Sequence, residues 1–141
     1  MLRLRKLLVP QQDSNKVNYG ALILRVGFGT LMMTHGYGKL IHFTEYAPNF
    51  MNFMGLSGEI SLALVVFAEF FSALFVGLGL FTRFSLIPLI ITMLVACFVA
   101  HSDQPIGEKE MSILYFCAYS SLFLTGPGKF SVDALIFKPK N

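Results

Sequence analysis

Polar residues in this chain come in clusters, and the runs between them are apolar for about the thickness of a bilayer. The stretch 63–83, ALVVFAEFFSALFVGLGLFTR, is interrupted only by Glu69 and closed by Arg83. A hydrocarbon core about 30 Å thick is crossed by about 20 helical residues. At about 1.5 Å per residue, Glu69 falls near its centre. The same pattern predicts spans over 18–41, 59–81, 84–100 and 111–124. The second and third are divided only by Thr82 and Arg83, which predicts a tight antiparallel hairpin. Between the third and fourth, HSDQPIGEKE is polar and turn-forming through Pro105 and Gly107. Gly126 and Gly128 of the GPG sequence end the fourth. The expected fold is therefore all-α: one domain over 1–141, an integral membrane four-helix bundle.

Composition supports lipid as the solvent. The chain is 55% hydrophobic, 13% charged and carries 15 phenylalanines, and its mean hydropathy is +0.64. A soluble domain has about a quarter charged residues, so too little polar surface remains to coat this one in water. The net charge of +3 does not point to nucleic acid, because the basic residues sit at span ends. Arg3, Arg5, Lys6 and Lys16 precede the first span, Arg83 follows the second, and Lys129, Lys138 and Lys140 follow the fourth. The opposite side mixes Lys39 and Lys109 with Glu45, Glu59, Asp103, Glu108 and Glu110. The positive-inside rule then places both termini in the cytoplasm. MLRLRKLLVPQQD has a short apolar core and no small-residue cleavage site, so it reads as a cytoplasmic tail and not a signal peptide.

A carboxylate at mid-bilayer needs a partner. On the second span, Ser72, Ala73 and Gly77 share the face of Glu69, and small residues mark the faces on which helices meet in lipid. Arg25 lies inside the first span, on one stripe with Phe28, Met32, His35 and Lys39, flanked by Gly29 and Gly36. An Arg25–Glu69 ion pair is the expectation, read either as functional or as fixing helix register alone. Topology also brings His35 and Lys39, His101 and Glu110 to one outer level above Glu69. That set predicts an outward polar pocket with His35 at its hub, suited to proton transfer or to a polar headgroup. Metal is the weaker reading, because no close His/Glu spacing occurs. Cys97 and Cys117 have no CxxC spacing and read as apolar filler. Ser112, Tyr115 and Tyr119 form a mildly polar stripe on the fourth span. At the inner end, Ser131 is expected to cap a short interfacial helix with Leu135, Ile136 and Phe137 toward lipid. Arg83 is expected near Asp133 and the GPG carbonyls.

Three segments, LRVGFGTLMMTHGYGKL, AEFFSALFVGLGLFTR and GPGKFSVD, resemble in order and spacing the signatures of the DoxX family of small bacterial membrane proteins. The resemblance spans about 22–135. It implies a four-helix bundle in the bacterial inner membrane with both termini inside. Arg25, His35, Gly36, Lys39, Glu69, Arg83, Glu110 and Asp133 stand where that family has polar or otherwise distinctive positions. Characterised members look like subunits of membrane oxidoreductase assemblies, among them a quinone-reducing thiosulfate oxidoreductase and a complex with superoxide dismutase and a sulfurtransferase. The resemblance supplies no cofactor, and none is evident in the sequence. Two function classes follow: an accessory subunit of a redox complex that contacts quinone, or a non-catalytic scaffold that holds a partner. A solute or lipid carrier is a third, disfavoured because no inverted repeat shows.

Overall fold

The computed structural model describes residues 14–137. The amino-terminal tail and Arg3, Arg5, Lys6, Lys138 and Lys140, on which part of the orientation argument rests, lie outside them. Among the described residues the secondary structure is helical, with no strand. Four long helices form: α1 over Ser14–Ile41, α2 over Gly58–Leu78 and α3 over Thr82–Ala100, and α4 over Ile106–Thr125. A short α5 covers Val132–Ile136. Both α2 and α3 are long and apolar enough to cross a membrane. Helices α1 and α4 begin four and five residues before their expected starts. Their first turns, SNKV and IGEKE, are polar and carry no apolar period, so hydropathy marks only the part that follows.

Local chemistry sets the ends. The Ser57 hydroxyl accepts from the Ile60 amide at the start of α2, where Glu59 also complements the helix dipole. Gly79, with φ of 72°, terminates α2 in the left-handed region. The turn to α3 runs through Gly79, Leu80 and Phe81, one residue-pair earlier than the Thr82–Arg83 break expected from hydropathy, and Thr82 already belongs to α3. Both α2 and α3 widen into π-helical turns, at Phe67–Ser72 and Ala96–Ala100.

The helices pack in chain order, α1 on α2, α2 on α3 and α3 on α4, with α4 closing more loosely on α1. The α1–α2 contact is backbone on backbone. A Cβ on Gly29 would lie 3.0 Å from the Ala73 carbonyl oxygen and 3.1 Å from the Gly77 Cα, and one on Gly36 only 2.5 Å from the Phe70 amide nitrogen. Residue 29 facing 73 and 77 while 36 faces 69 and 70 fixes the pair as antiparallel, through the small-residue face that the sequence marks. The centre is filled by Met32, Val76, Leu86, Leu89 and Tyr119. The Tyr119 hydroxyl donates to the Phe28 carbonyl at 3.2 Å, which satisfies a buried donor across α4 and α1.

At the end of the bundle where α2 turns into α3, α5 is bound back onto that turn. The Asp133 carboxylate accepts from the Phe81 amide at 2.7 Å, the Thr82 amide at 2.9 Å and the Thr82 hydroxyl at 2.8 Å. The Asp133 amide donates to the Gly79 carbonyl at 2.8 Å. Asp133 thus caps α3 from outside its own segment. Arg83 follows Thr82 directly, but it forms no ion pair with Asp133 among the described residues. The exposed Arg83 lies beside Gly126 of the GPG sequence, 3.8 Å from where a Cβ would stand. Backbone amides of a free helix start are the stronger competitors for a carboxylate, because they have no other partner. We expect Asp133→Ala to cost about 2–3 kcal/mol, and Asp133→Asn, which keeps one acceptor, about 1 kcal/mol. Thermal unfolding in mild detergent measures both; equal, negligible shifts would show that the clamp contributes nothing.

Ser131 caps α5, its hydroxyl accepting from the Ala134 amide at 3.1 Å and donating to the Gly128 carbonyl at 2.7 Å. Leu135, Ile136 and Phe137 are exposed, and the Phe137 ring meets Phe81.

Candidate functional site

The ionisable residues expected to form one outer pocket and one ion pair are divided between two places. Arg25 and Lys39 are fourteen residues apart on α1, about 21 Å along the axis. That distance separates two polar clusters.

Arg25 belongs to the α2–α3 turn end. It is only 1% exposed, and its Nη2 donates to the Phe130 carbonyl at 2.8 Å. Its guanidinium packs against Gly79, where a Cβ would stand 1.7 Å from Nη1. Gly79 is the carboxyl-terminal cap of α2, so the cation sits at the negative end of that helix dipole. Nearby, Gly128 packs against Asn18 of α1, whose side chain accepts from the Lys129 amide at 2.9 Å. These contacts join α1, the α2–α3 turn, the end of α4 and α5. Gly126, with φ of 82°, ends α4 in a conformation suited to glycine.

The Arg25–Glu69 pair is therefore not formed. Glu69 pairs with Lys39. Periodicity placed both cations correctly on the inward stripe of α1. It could not set the helix register, which Gly36 decides by seating α1 directly on the backbone of Glu69 and Phe70. Glu69 sits in the π-turn of α2 with its side chain 8% exposed, while Lys39 retains 29% exposure. Two π-turns in one short bundle are uncommon, and such turns recur at functional sites.

The pair opens into a cavity of about 580 Å³ between α2, α3 and the connection that follows α1. One π-turn lines it on each side: Phe67, Ala68 and Glu69 from α2, Ala96 and Ala100 from α3. Phe50, Met51 and Phe53 cover one end. Leu64, Phe67 and Ile91 line the cavity and are also about half exposed on the flank of the bundle. The mouth therefore opens sideways between α2 and α3, through apolar side chains. His101 contributes the third ionisable group. Its Nδ1–H donates to the Ala96 carbonyl at 2.8 Å, the carbonyl that also takes the His101 amide, which leaves Nε2 as the ring's remaining polar atom.

Of the five residues expected around a common pocket, Lys39, Glu69 and His101 line this cavity. His35 and Glu110 do not. His35, expected as a buried hub, is exposed on α1, with its ring edge-on to Tyr115 at 6.2 Å. Its place on the stripe is at the edge, not the middle. Glu110 is exposed in the early turns of α4. Sequence reasoning passed over Ser61, Thr92 and the aromatic cover, which carry no motif. Among the described residues no group of three or more His, Cys, Asp or Glu is arranged to hold a metal ion. Cys97 is buried and Cys117 exposed, both as free thiols.

Comparison with known families matches residues 20–102 to the DoxX family model. The chain belongs to the DoxX family. That is a family of membrane proteins, in keeping with the apolar lengths of α2 and α3. The match contains Arg25, Gly36, Lys39, Glu69, Arg83 and His101, hence both polar clusters of α1 and the whole cavity wall from α2 and α3. Glu110 and the GPGKFSVD segment lie beyond it. No curated protein and no solved structure matches this DoxX chain.

Proposed function

We propose that this DoxX protein is an accessory subunit of a membrane oxidoreductase assembly, and that its cavity binds a membrane-soluble, carbonyl-bearing ligand of the quinone class. The observation that carries the reading is the cavity itself: apolar, open sideways through Leu64, Phe67 and Ile91, with the Lys39–Glu69 pair and His101 as its polar groups. A quinone-class ligand needs an apolar slot for its ring, a donor for a carbonyl, and a tail exit into lipid. The Lys39 ammonium is the donor, and the lateral mouth is the exit. In this reading all four long helices span the bacterial inner membrane, with both termini cytoplasmic and α5 lying along the inner interface. The protein contributes binding and no stand-alone catalysis; its partners are lipids and redox subunits.

One observation favours assembly with a protein partner, whether or not a ligand binds. The outward faces of α2 and α3 are bulky, with Phe67, Phe71, Phe84 and Phe98. That of α1 carries Gly20, Gly27 and Gly38, each open where a side chain would stand. Small residues permit a second helix to approach closely, so a scaffold role through α1 is the alternative.

The test is binding of decylubiquinone to the protein in lipid nanodiscs, with empty nanodiscs as reference. Lys39→Ala should weaken it about tenfold or more, the loss of a charged donor. Leu64→Trp, which narrows the mouth without touching the ion pair, should weaken it as well, and His35→Ala should leave it unchanged. Equal affinity across wild type, Lys39→Ala and Leu64→Trp would remove the ligand and leave the scaffold.

A further inference from the structure

We infer that the α5 end of the bundle binds the headgroup of an anionic phospholipid, with Arg83 and Lys129 as its two cationic contacts. The inference rests on the membrane placement of α5 proposed above and is independent of the cavity.

The two ends of the bundle differ in charge. The end nearer the cavity carries Glu45, Glu59, Asp103, Glu108 and Glu110, all exposed. At the α5 end the described residues include one carboxylate, Asp133, and four cations, Lys16, Arg25, Arg83 and Lys129. Asp133 is spent on the amides and hydroxyl that begin α3, and the buried Arg25 offsets its charge. Arg83 and Lys129 are exposed, and among the described residues neither forms an ion pair. Surplus cations at one level repel one another until an anion joins them.

Local structure holds these two close together. The Arg83 Nη2 lies 3.8 Å from where a Cβ on Gly126 would stand. Lys129 is three residues further along, no more than about 10 Å of chain. The positive φ angles of Gly126 and Gly128 fold this strap back onto α1, where the Asn18 side chain accepts from the Lys129 amide at 2.9 Å. The Lys129 ammonium donates to the Asn15 side chain and stands 5.3 Å from the centre of the Phe130 ring. Both partners are neutral, and an ammonium with three donors keeps two for phosphate oxygens. The planar guanidinium of Arg83 suits the same group.

The neighbouring side chains argue for a lipid over a soluble anion. Phe130 packs on Tyr19 with ring centres 5.0 Å apart, and both rings are exposed. Beside the α2–α3 turn, α5 presents the exposed Leu135, Ile136 and Phe137. Aromatic and basic residues at one level are the composition of a membrane–water interface, and acyl chains cover such rings where inorganic phosphate cannot. A zwitterionic headgroup would bring its own cation beside the phosphate, and no uncommitted carboxylate stands here to receive it. Phosphatidylglycerol therefore fits, and phosphatidylcholine is disfavoured.

The experiment uses Leu135→Trp in the full chain, which has no other tryptophan. In bilayers of brominated phosphatidylcholine its fluorescence should be quenched, and unbrominated phosphatidylglycerol should restore it by displacement. The relative binding constant should favour phosphatidylglycerol about twentyfold, about fivefold for each cation. Adding Arg83→Gln or Lys129→Gln should each reduce the preference about fivefold. The double variant should lose it, and Lys129→Arg should keep it. At about 1 M salt, where the screening length is about 3 Å, most of the preference should vanish. A preference near one, or one that survives the double variant, overturns the headgroup site and leaves α5 in the interface. Displacement of the phosphatidylglycerol effect by inorganic phosphate at fixed ionic strength reassigns the cations to a free anion and overturns the lipid. Absence of quenching in brominated bilayers overturns the placement of α5, and the headgroup site with it.

Discussion

Gly36→Ala is expected to destabilise the bundle by about 2–3 kcal/mol, the range for overpacking a contact that cannot relax. The added methyl would stand 2.5 Å from the Phe70 nitrogen and 2.6 Å from the Glu69 carbonyl carbon. Both are backbone atoms within the π-turn, so no side chain can rotate away and α1 must lift from α2. Lifting α1 also draws Lys39 away from Glu69, so the ion pair should loosen as stability falls. Gly27→Ala, nine residues earlier, is the control. Nothing lies within 4 Å of its Cβ position, and replacing a mid-helix glycine should gain up to about 1 kcal/mol. Opposite signs for two identical substitutions on one helix, measured as unfolding midpoints in detergent, would locate the close approach. Equal shifts would exclude it.

Separating Lys39 from Glu69 should have the other large effect. Removing one member of a buried pair strands the other and costs about 3–5 kcal/mol when both are fully enclosed. Lys39 is 29% exposed, so water can partly compensate, and about 3 kcal/mol is expected for Lys39→Met. Glu69→Gln should cost less, about 1 kcal/mol, because the ammonium can reorient toward solvent on its flexible stem. The double variant Lys39→Met/Glu69→Gln should recover most of the loss, since neither charge is then left alone. A double variant as unstable as the sum of the two singles would mean that the residues do not interact.

Much of the architecture is legible in the sequence because it is written in periods and punctuation. Apolar length marks α2 and α3. Gly126 marks the end of α4 and Ser131 the start of α5, whereas the end of α2 at Gly79 falls inside the apolar run and is not marked by hydropathy. The face of Glu69 is readable from Ser72, Ala73 and Gly77. What composition cannot supply is axial register. Arg25 and Lys39 occupy the same stripe of α1 and differ in height by about 21 Å; choosing between them requires knowing that α1 seats on α2 at Gly29 and Gly36. The longer-stemmed Arg25 was the natural partner for a mid-bilayer carboxylate only while that seat was unknown. The partners of Asp133 were not foreseen for a related reason. Side-chain charges are visible in a sequence, whereas the unpaired amides of Phe81 and Thr82 are visible only once α3 has a beginning. Nor does any hydropathy pattern announce a π-turn, whose extra residue shifts every later position around the helix. The cavity depends on two of them.

The Asp133 clamp has a mechanical consequence. At one end α2 and α3 are joined by a three-residue turn and bound to α5 through both the carboxylate and the amide of Asp133. At the other they diverge around the cavity. The two helices are thus arms sharing a fixed pivot, and the mouth between Leu64 and Ile91 can widen only by angular opening about Gly79–Phe81. Glu69 is ten residues from that pivot, about 15 Å up the arm. An opening of only a few degrees therefore moves it by about 1 Å relative to α3, and Lys39 moves with it, because α1 is seated on α2 at Gly36. Leverage carries the ion pair as one body on the α2 arm, so opening changes its distance from His101 on the α3 arm.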